Sequence, residues 1–270
     1  VKPPFGYMGG KQRIARQIIP HIPDHRIYVE PFFGSGGIFF AKSQRGFGGG
    51  YTEVIGDVDS NIHNFFTQLR DHGEALRDHL RLMEYSEDMY AKCKTNSEYY
   101  RNAGDFERAA LFYFNQSNSF AAKQNGGLAF AAENTNVKSF VNAVERIPGY
   151  TERMRKVLIF NKPYDILIDR FDSIETFFYF DPPYKDTTGY VGGGIDHEAF
   201  AERIKETSGQ WILSHYYDDW IRDNFEADGY EIRMIAHTPS IAKAKNGTRP
   251  TTGAQECIVL NTRGMSLFDL

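Results

Sequence analysis

The order of elements between Arg26 and Ser60 limits the possible folds more than any other feature of the chain. Arg26 to Glu30 (RIYVE) reads as a strand that runs straight into Pro31 and a glycine-rich turn, Gly34-Ser35-Gly36-Gly37. Tyr51 to Ile55 (YTEVI) is a second strand. Asp57 follows it, and then a helix from about Ser60 sets Ile62, Phe65, Phe66 and Leu69 on one face. Strand, glycine turn, helix, strand and acidic residue, in that order, open a doubly wound α/β sheet.

From about Asn61 to Val144 strands fade and helical patterns take over, notably Asp105 to Phe114 (DFERAALFYF), with Asp105 as its N-cap. A polar loop, Asn115 to Asn136, is expected next. Alternation then returns: Arg153 to Phe160 leads into a strand, Thr176 to Phe180 (TFFYF) is a buried apolar strand, and Trp211 to Ser214 and Tyr230 to Ile235 are further strands. Glu256 to Asn261 (ECIVLN) closes the sheet, antiparallel to Tyr230–Ile235 at one end. The organisation is an α/β catalytic domain, residues 1–60 and 145–270, with a mostly helical insertion, residues 61–144.

With 41% hydrophobic and 24% charged residues among 270, the chain can bury a proper core. No apolar run approaches the roughly 18 residues of a membrane span. The opening residues Val1-Lys2-Pro3-Pro4-Phe5-Gly6 lack the apolar stretch of a signal peptide. Cys93 and Cys257 stand far apart, so neither a disulfide framework nor a zinc site is expected, and the setting is reducing and cytoplasmic. The net charge of −4 runs against nucleic-acid binding, yet Lys243 to Arg249 (KAKNGTR) is purely basic and suits a phosphate backbone.

Three motifs carry chemistry. Val29-Glu30-Pro31-Phe32-Phe33-Gly34-Ser35-Gly36-Gly37 lets backbone amides approach a ligand closely, and Asp57 past the second strand can accept from a ribose diol. A dinucleotide fingerprint would need a small residue where Phe39 stands. Phe5-Gly6-Tyr7-Met8-Gly9-Gly10-Lys11 places a lysine after paired glycines, which suits an anionic group such as a methionine carboxylate.

Asp181-Pro182-Pro183-Tyr184, directly after TFFYF, is the most specific signal. A diproline follows a stiff path with few backbone donors, which leaves carbonyl oxygens free for a ligand. An amine on a conjugated ring is a poor nucleophile because its lone pair is delocalised. Two acceptors, the Asp181 carboxylate and the Pro182 carbonyl, can hold its hydrogens and favour a pyramidal nitrogen, while Tyr184 offers a stacking face.

These three blocks, in this order and spacing, resemble the Dam-like DNA adenine-N6 methyltransferases of bacteria and their phages. The Ser214-His215-Tyr216 and Asn246-Gly247-Thr248-Arg249 segments look like the same family, and the likeness is weakest between about Asn61 and Phe160. The resemblance implies a Rossmann-like methyltransferase sheet with a helical target-recognition insertion, and S-adenosylmethionine as cofactor. It implies that Tyr7, Gly10, Lys11, Glu30, Phe32, Gly34 and Asp57 surround that cofactor, with Asp181 next to it. It further implies that Asp181, Pro182 and Tyr184 hold an adenine flipped out of double-stranded DNA.

Asn115, Asn118, Lys123 and Gln124 are the expected base or phosphate contacts of the insertion, and Lys243, Lys245, Asn246 and Arg249 those of the tail. Relatives often carry aromatic and Arg residues in the loop equivalent to 115–123, and this chain departs from that pattern, so the target sequence is unreadable. No metal, membrane or obligatory protein partner is expected. Two alternatives stay open: an amine methyltransferase acting on cytosine, RNA or a protein glutamine, and a DNA-binding module that has lost catalysis. In related enzymes the former more often carry Ser or Asn in place of Asp181.

Overall fold

The computed structural model describes residues 2–7, 9–43, 50–119, 125–127, 135–184, 194–236 and 255–261. A 3-10 turn, Lys11–Arg13, and α1 (Ala15–Ile18) precede β1 (Ile27–Glu30); α2 (Gly37–Ala41) connects to β2 (Thr52–Gly56). Among the described residues, six helices and no strand follow: α3 (Ser60–Leu82), α4 (Glu87–Lys92), α5 (Glu98–Asn102), α6 (Asp105–Asn118), α7 (Thr135–Val144) and α8 (Ile147–Met154). The sheet resumes with β3 (Leu158–Phe160), α9 (Tyr164–Phe171), β4 (Thr176–Phe180), α10 (His197–Lys205) and β5 (Gln210–Tyr216). Last come α11 (Asp219–Ile221), which continues into a wide helical turn over Arg222–Glu226, then β6 (Glu231–Met234) and β7 (Glu256–Asn261).

The strands form one sheet in the order β3-β2-β1-β4-β5-β7-β6. β3, β2, β1, β4 and β5 are mutually parallel, and β7 runs antiparallel between β5 and β6. The chain winds outward from β1 to β3 on one side, then restarts at β4 on the other. That reversal opens a crevice beyond the carboxyl ends of β1 and β4, where ligands of such sheets bind.

Parallel strands buried on both faces are largely apolar, and β4, buried at every position, carries aromatic rings at four of its five residues. Its side chains alternate: Phe177 and Tyr179 join Tyr28, Ile55 and the helices α2, α3, α6 and α8 in one core. Phe178 and Phe180 join Val29, Val54 and the helices α9, α10 and α11 in a second core. Burial of each such ring contributes about 1.5–3 kcal/mol, so a register slip that exchanged the faces would be costly. The helices between β2 and β3 share their core with the sheet, since Phe65, Phe66, Phe112 and Tyr113 lie in the same cluster as Phe5 and Phe177.

Helix α3 bends at His72, whose φ of −133° and ψ of 27° are not helical. The cause is an inserted side chain: Thr151 of α8 donates to the Leu69 carbonyl at 2.9 Å. Gly73 makes room for it, because a β-carbon there would overlap the Thr151 hydroxyl.

Three expectations need correction. Asp105 is not a cap: Gly104 holds that position, and Asp105 lies inside the first turn, ion-paired with Arg108. The 115–118 segment is not loop but the last turn of α6, because Phe112, Phe114 and their neighbours keep the helix docked on the core. β7 does pair with β6, but it also pairs with β5 over six positions, Trp211↔Asn261 to Tyr216↔Glu256, which puts β6 at the edge.

Candidate active site

The carboxyl ends of β4, β5 and β1 and the amino end of β7 meet at one place. Because β7 is antiparallel, its first residue, Glu256, sits opposite Tyr216, the last residue of β5. Asp181 leaves the end of β4 beside it, and the N-terminal turn brings Lys11 between the two carboxylates. Lys11 Nζ lies 2.7 Å from Asp181 Oδ1 and 3.3 Å from Glu256 Oε1. It also donates to the Gly9 carbonyl at 2.8 Å and sits 4.7 Å from the centre of the Tyr184 ring. The Tyr184 hydroxyl donates to Glu256 Oε1 at 2.9 Å. The Tyr184 ring is packed between His215, at 4.6 Å, and Tyr216, at 4.5 Å.

One ammonium serves two carboxylates here, and this sets the electrostatics. Burial pushes the Asp181 carboxyl up to about 6; Lys11 pulls it back down, while Glu256 adds a like charge that keeps it raised. Burial acts on Lys11 in the opposite sense, but Asp181 and Glu256 outweigh it, so its pKa is raised and it stays charged. Asp181 is the open member of the group: its side chain keeps 19% of its surface exposed, against 5% for Lys11 and 9% for Glu256.

The β1 turn is built around Tyr7. Gly10 N–H donates to the Tyr7 carbonyl at 3.0 Å. Gly34 has a φ of +50°, and a β-carbon on it would lie 2.9 Å from Tyr7 Cδ1. Gly34 N–H in turn donates to Asp57 Oδ2 at 2.9 Å, and Asp59 N–H donates to Asp57 Oδ1 at 2.9 Å. The Val58 amide acts on the same carboxylate, and a carboxylate has about four acceptor positions, so Asp57 keeps about one open. Burial raises its pKa to about 6 against the pull of those amides. A narrow pocket beside it is lined by Phe33, Ile62, Phe66, Ile159 and Phe160. Glu30, at the end of β1, is buried and accepts from Tyr28 at 2.6 Å. Burial pushes it up to about 8, the Tyr28 hydrogen bond pulls it down, and the Asp181 charge raises it further.

Tyr7, Gly10, Gly34 and Asp57 are thus in mutual contact, and Lys11, Asp181 and Tyr184 form a second group. The anion that Lys11 meets is the chain's own Asp181–Glu256 pair. Phe32 is turned toward Tyr164 and Phe200, 5.5 and 5.7 Å between ring centres, against the second core. Asn115 and Asn118 point into the protein. Both are buried; Asn118 Nδ2 donates to the Phe114 carbonyl at 2.8 Å, and Asn115 Oδ1 accepts from Asn125 N–H at 3.3 Å. Side chains placed in this way hold the end of α6. Lys123, Gln124, Lys243, Lys245, Asn246 and Arg249 lie outside the described residues.

Residues 7–228 match the family model of the D12 class N6 adenine-specific DNA methyltransferases. The chain belongs to this family. Membership makes it an enzyme acting on DNA, and it implies use of S-adenosylmethionine. The chain is 21% identical over 240 residues to the type II methyltransferase M.CviBI of Paramecium bursaria Chlorella virus NC1A, covering 85% of this chain and 88% of that one. It is 24% identical over 298 residues to the type II methyltransferase M.MjaIII of Methanocaldococcus jannaschii, covering 97% and 99%. Among solved structures, an rRNA-methylase from Clostridium thermocellum overlays with a TM-score of 0.39 and 8% identity, covering 93% of this chain and 95% of that one.

Glu256 is the site residue that sequence reasoning did not single out for this D12 methyltransferase. Its signal was a carboxylate abutting the apolar run Cys257-Ile258-Val259-Leu260, where a charge is tolerated only if it is paired. His215 was noted only as part of a motif. It is fully buried, its Nδ1 lies 2.9 Å from the Tyr216 carbonyl, and it packs against Tyr184 and Trp220. No helix among the described residues is long and apolar enough to cross a membrane.

Proposed function

We propose that the Asp181–Tyr184 loop binds the amine edge of an adenine turned out of double-stranded DNA and directs its N6 toward the methyl group. The observation that carries this reading is the position of Asp181. It is the most exposed carboxylate of a buried cluster, at the end of β4 and at the reversal of the sheet.

The residues present fit S-adenosylmethionine. Asp57 keeps an acceptor position for a ribose hydroxyl, the Gly34 turn packs on Tyr7, and the Lys11–Asp181–Glu256 cluster carries one net negative charge to face a sulfonium. When bound, that cofactor supplies an electrophilic methyl group on sulfur. In this reading Asp57, Gly10, Gly34 and Tyr7 hold it, with Glu30 and Phe32 behind the turn.

Asp181 accepts one N6 hydrogen and the Pro182 carbonyl the other, which localises the lone pair on nitrogen. So held, N6 would be placed to take up the methyl group that the cofactor would supply, whose carbon–sulfur bonding electrons would be left on sulfur. The nitrogen passes its surplus proton to Asp181 and on to water. Orientation and electrostatics carry the rate, with no covalent enzyme intermediate. Turning the adenine out costs a few kcal/mol. The Tyr184 ring is buried between His215 and Tyr216, so it walls the site and does not offer the free stacking face expected from the sequence.

Residues 1–60 and 145–270 form the catalytic part in this reading, and residues 61–144 the target-recognition part. Lys123 and Gln124 reach the target there, and Lys243, Lys245, Asn246 and Arg249 reach phosphates. The test is incubation with labelled S-adenosylmethionine and mixed-sequence duplex DNA, followed by nucleoside digestion. Label in N6-methyldeoxyadenosine is expected; label in a cytosine product, or in RNA alone, would overturn the assignment.

A further inference from the structure

The Lys11–Asp181 contact poses a problem for the chemistry just described, on which this inference rests. Lys11 holds Asp181 Oδ1 at 2.7 Å, so an incoming amine meets a carboxylate that keeps acceptor positions open but whose negative charge is largely offset by a cation, which makes it a weaker acceptor. Glu256 offers the way out. Its Oε1 lies 3.3 Å from the same nitrogen, so a shift of less than an ångström turns a loose contact into a full hydrogen bond. No backbone movement is needed. Glu256 is itself fixed, because Tyr184 donates to the same oxygen at 2.9 Å and the residue is paired in register with Tyr216. It is also more enclosed than Asp181, at 9% against 19% side-chain exposure, so it does not present itself to the base.

We propose that Glu256 is a positioning residue: it takes the Lys11 ammonium from Asp181 when the target amine arrives, and holds the Tyr184 ring in place through its hydroxyl. The charged and titratable groups that face the cluster among the described residues are Lys11, Glu30, Tyr179, Tyr184 and His215. Lys11 is the cation among them that lies within reach of both carboxylates. Without the Glu256 charge, Lys11 stays wholly on Asp181 and weakens it as an acceptor for the amine. Losing a like charge also makes Asp181 easier to ionise.

Glu256→Gln tests this, since the amide keeps the shape and an acceptor for Tyr184 while removing the charge. Three results are expected. kcat for methyl transfer falls about ten- to a hundredfold, while the Kd for S-adenosylmethionine changes less than about threefold. The acid limb of the rate profile moves to lower pH, which a purely structural role would not produce. In a Lys11→Gln background the same substitution changes kcat less than about threefold, because the competing cation is gone. A matching thermal melt of the single variant confirms that it folds.

Wild-type kcat with an unmoved acid limb in Glu256→Gln, or a full additive loss in the double variant, would overturn the proposal. Asp181→Asn, run alongside, separates the levels. An inactive Asp181→Asn beside a wild-type Glu256→Gln overturns this inference alone, whereas an active Asp181→Asn overturns the reading beneath it.

Discussion

Lowering the pH from about 7 to about 5 is expected to reduce kcat/KM for S-adenosylmethionine about a hundredfold, because two carboxylates of the free enzyme must both be ionised. Both Asp181 and Asp57 are held by burial at a pKa of about 6, well above an ordinary aspartate. The sign follows from their tasks. Asp181 accepts amine hydrogens and Asp57 accepts from a diol, so each works as the anion, and function is lost as pH falls through about 6. At about pH 5 each is roughly a tenth ionised, so the fraction with both ionised is about a hundredth. Unperturbed aspartates would stay more than about 90% ionised there and cost almost nothing.

The assay is initial-rate methyl transfer with both cofactor and DNA limiting, so that the free enzyme is the titrating form, in buffers of constant ionic strength, with tryptophan fluorescence to verify that the protein stays folded. The logarithm of kcat/KM should fall with a limiting slope near two below about pH 6, and the slope should drop to near one in Asp57→Asn. A slope of one in the unmodified enzyme, or a midpoint near pH 4, would refute the argument that both groups are buried without full compensation.

Other predictions concern the scaffold of the site. Gly34→Ala forces a side chain into the left-handed backbone region against Tyr7, and cofactor affinity measured by calorimetry should weaken by about 1–3 kcal/mol, roughly 5- to 150-fold. Glu53 is buried between Lys42 and Arg153, and although burial alone would raise its pKa, those two cations hold it below the usual value. Glu53→Ala leaves both uncompensated and should cost about 3–5 kcal/mol in denaturant unfolding. Asn118→Ala should cost about 0.5–1.5 kcal/mol of stability and leave the methylated DNA sequence unchanged, as a buried helix-end residue requires.

Much of the fold was legible because its signals are local. TFFYF ending in Asp181, RIYVE ending in a glycine turn and YTEVI before Asp57 each announce a strand and its functional end within a few residues. Strand pairing is not local: nothing between Tyr230 and Asn261 tells whether β7 lies at the edge or inside, and the structure places it between β5 and β6. The same non-locality hid Glu256. Its meaning depends on a nitrogen near the other end of the chain, Lys11, and on a tyrosine after β4. Asn115 and Asn118 misled in the opposite way, since polar residues grouped together read as a loop unless the apolar residues before them are known to anchor a helix.

The most direct test of the central claim, that Asp181 holds the target amine, is single-turnover methyl transfer by Asp181→Asn with cofactor binding measured on the same sample. The substitution keeps size and shape but removes the charged acceptor. Transfer to N6 of adenine should fall about 10²- to 10³-fold, the scale of losing one preorganised electrostatic contact, while S-adenosylmethionine still binds within about tenfold of the unmodified enzyme. A single-turnover rate within about threefold of the unmodified enzyme would contradict the claim and move the chemistry to another residue.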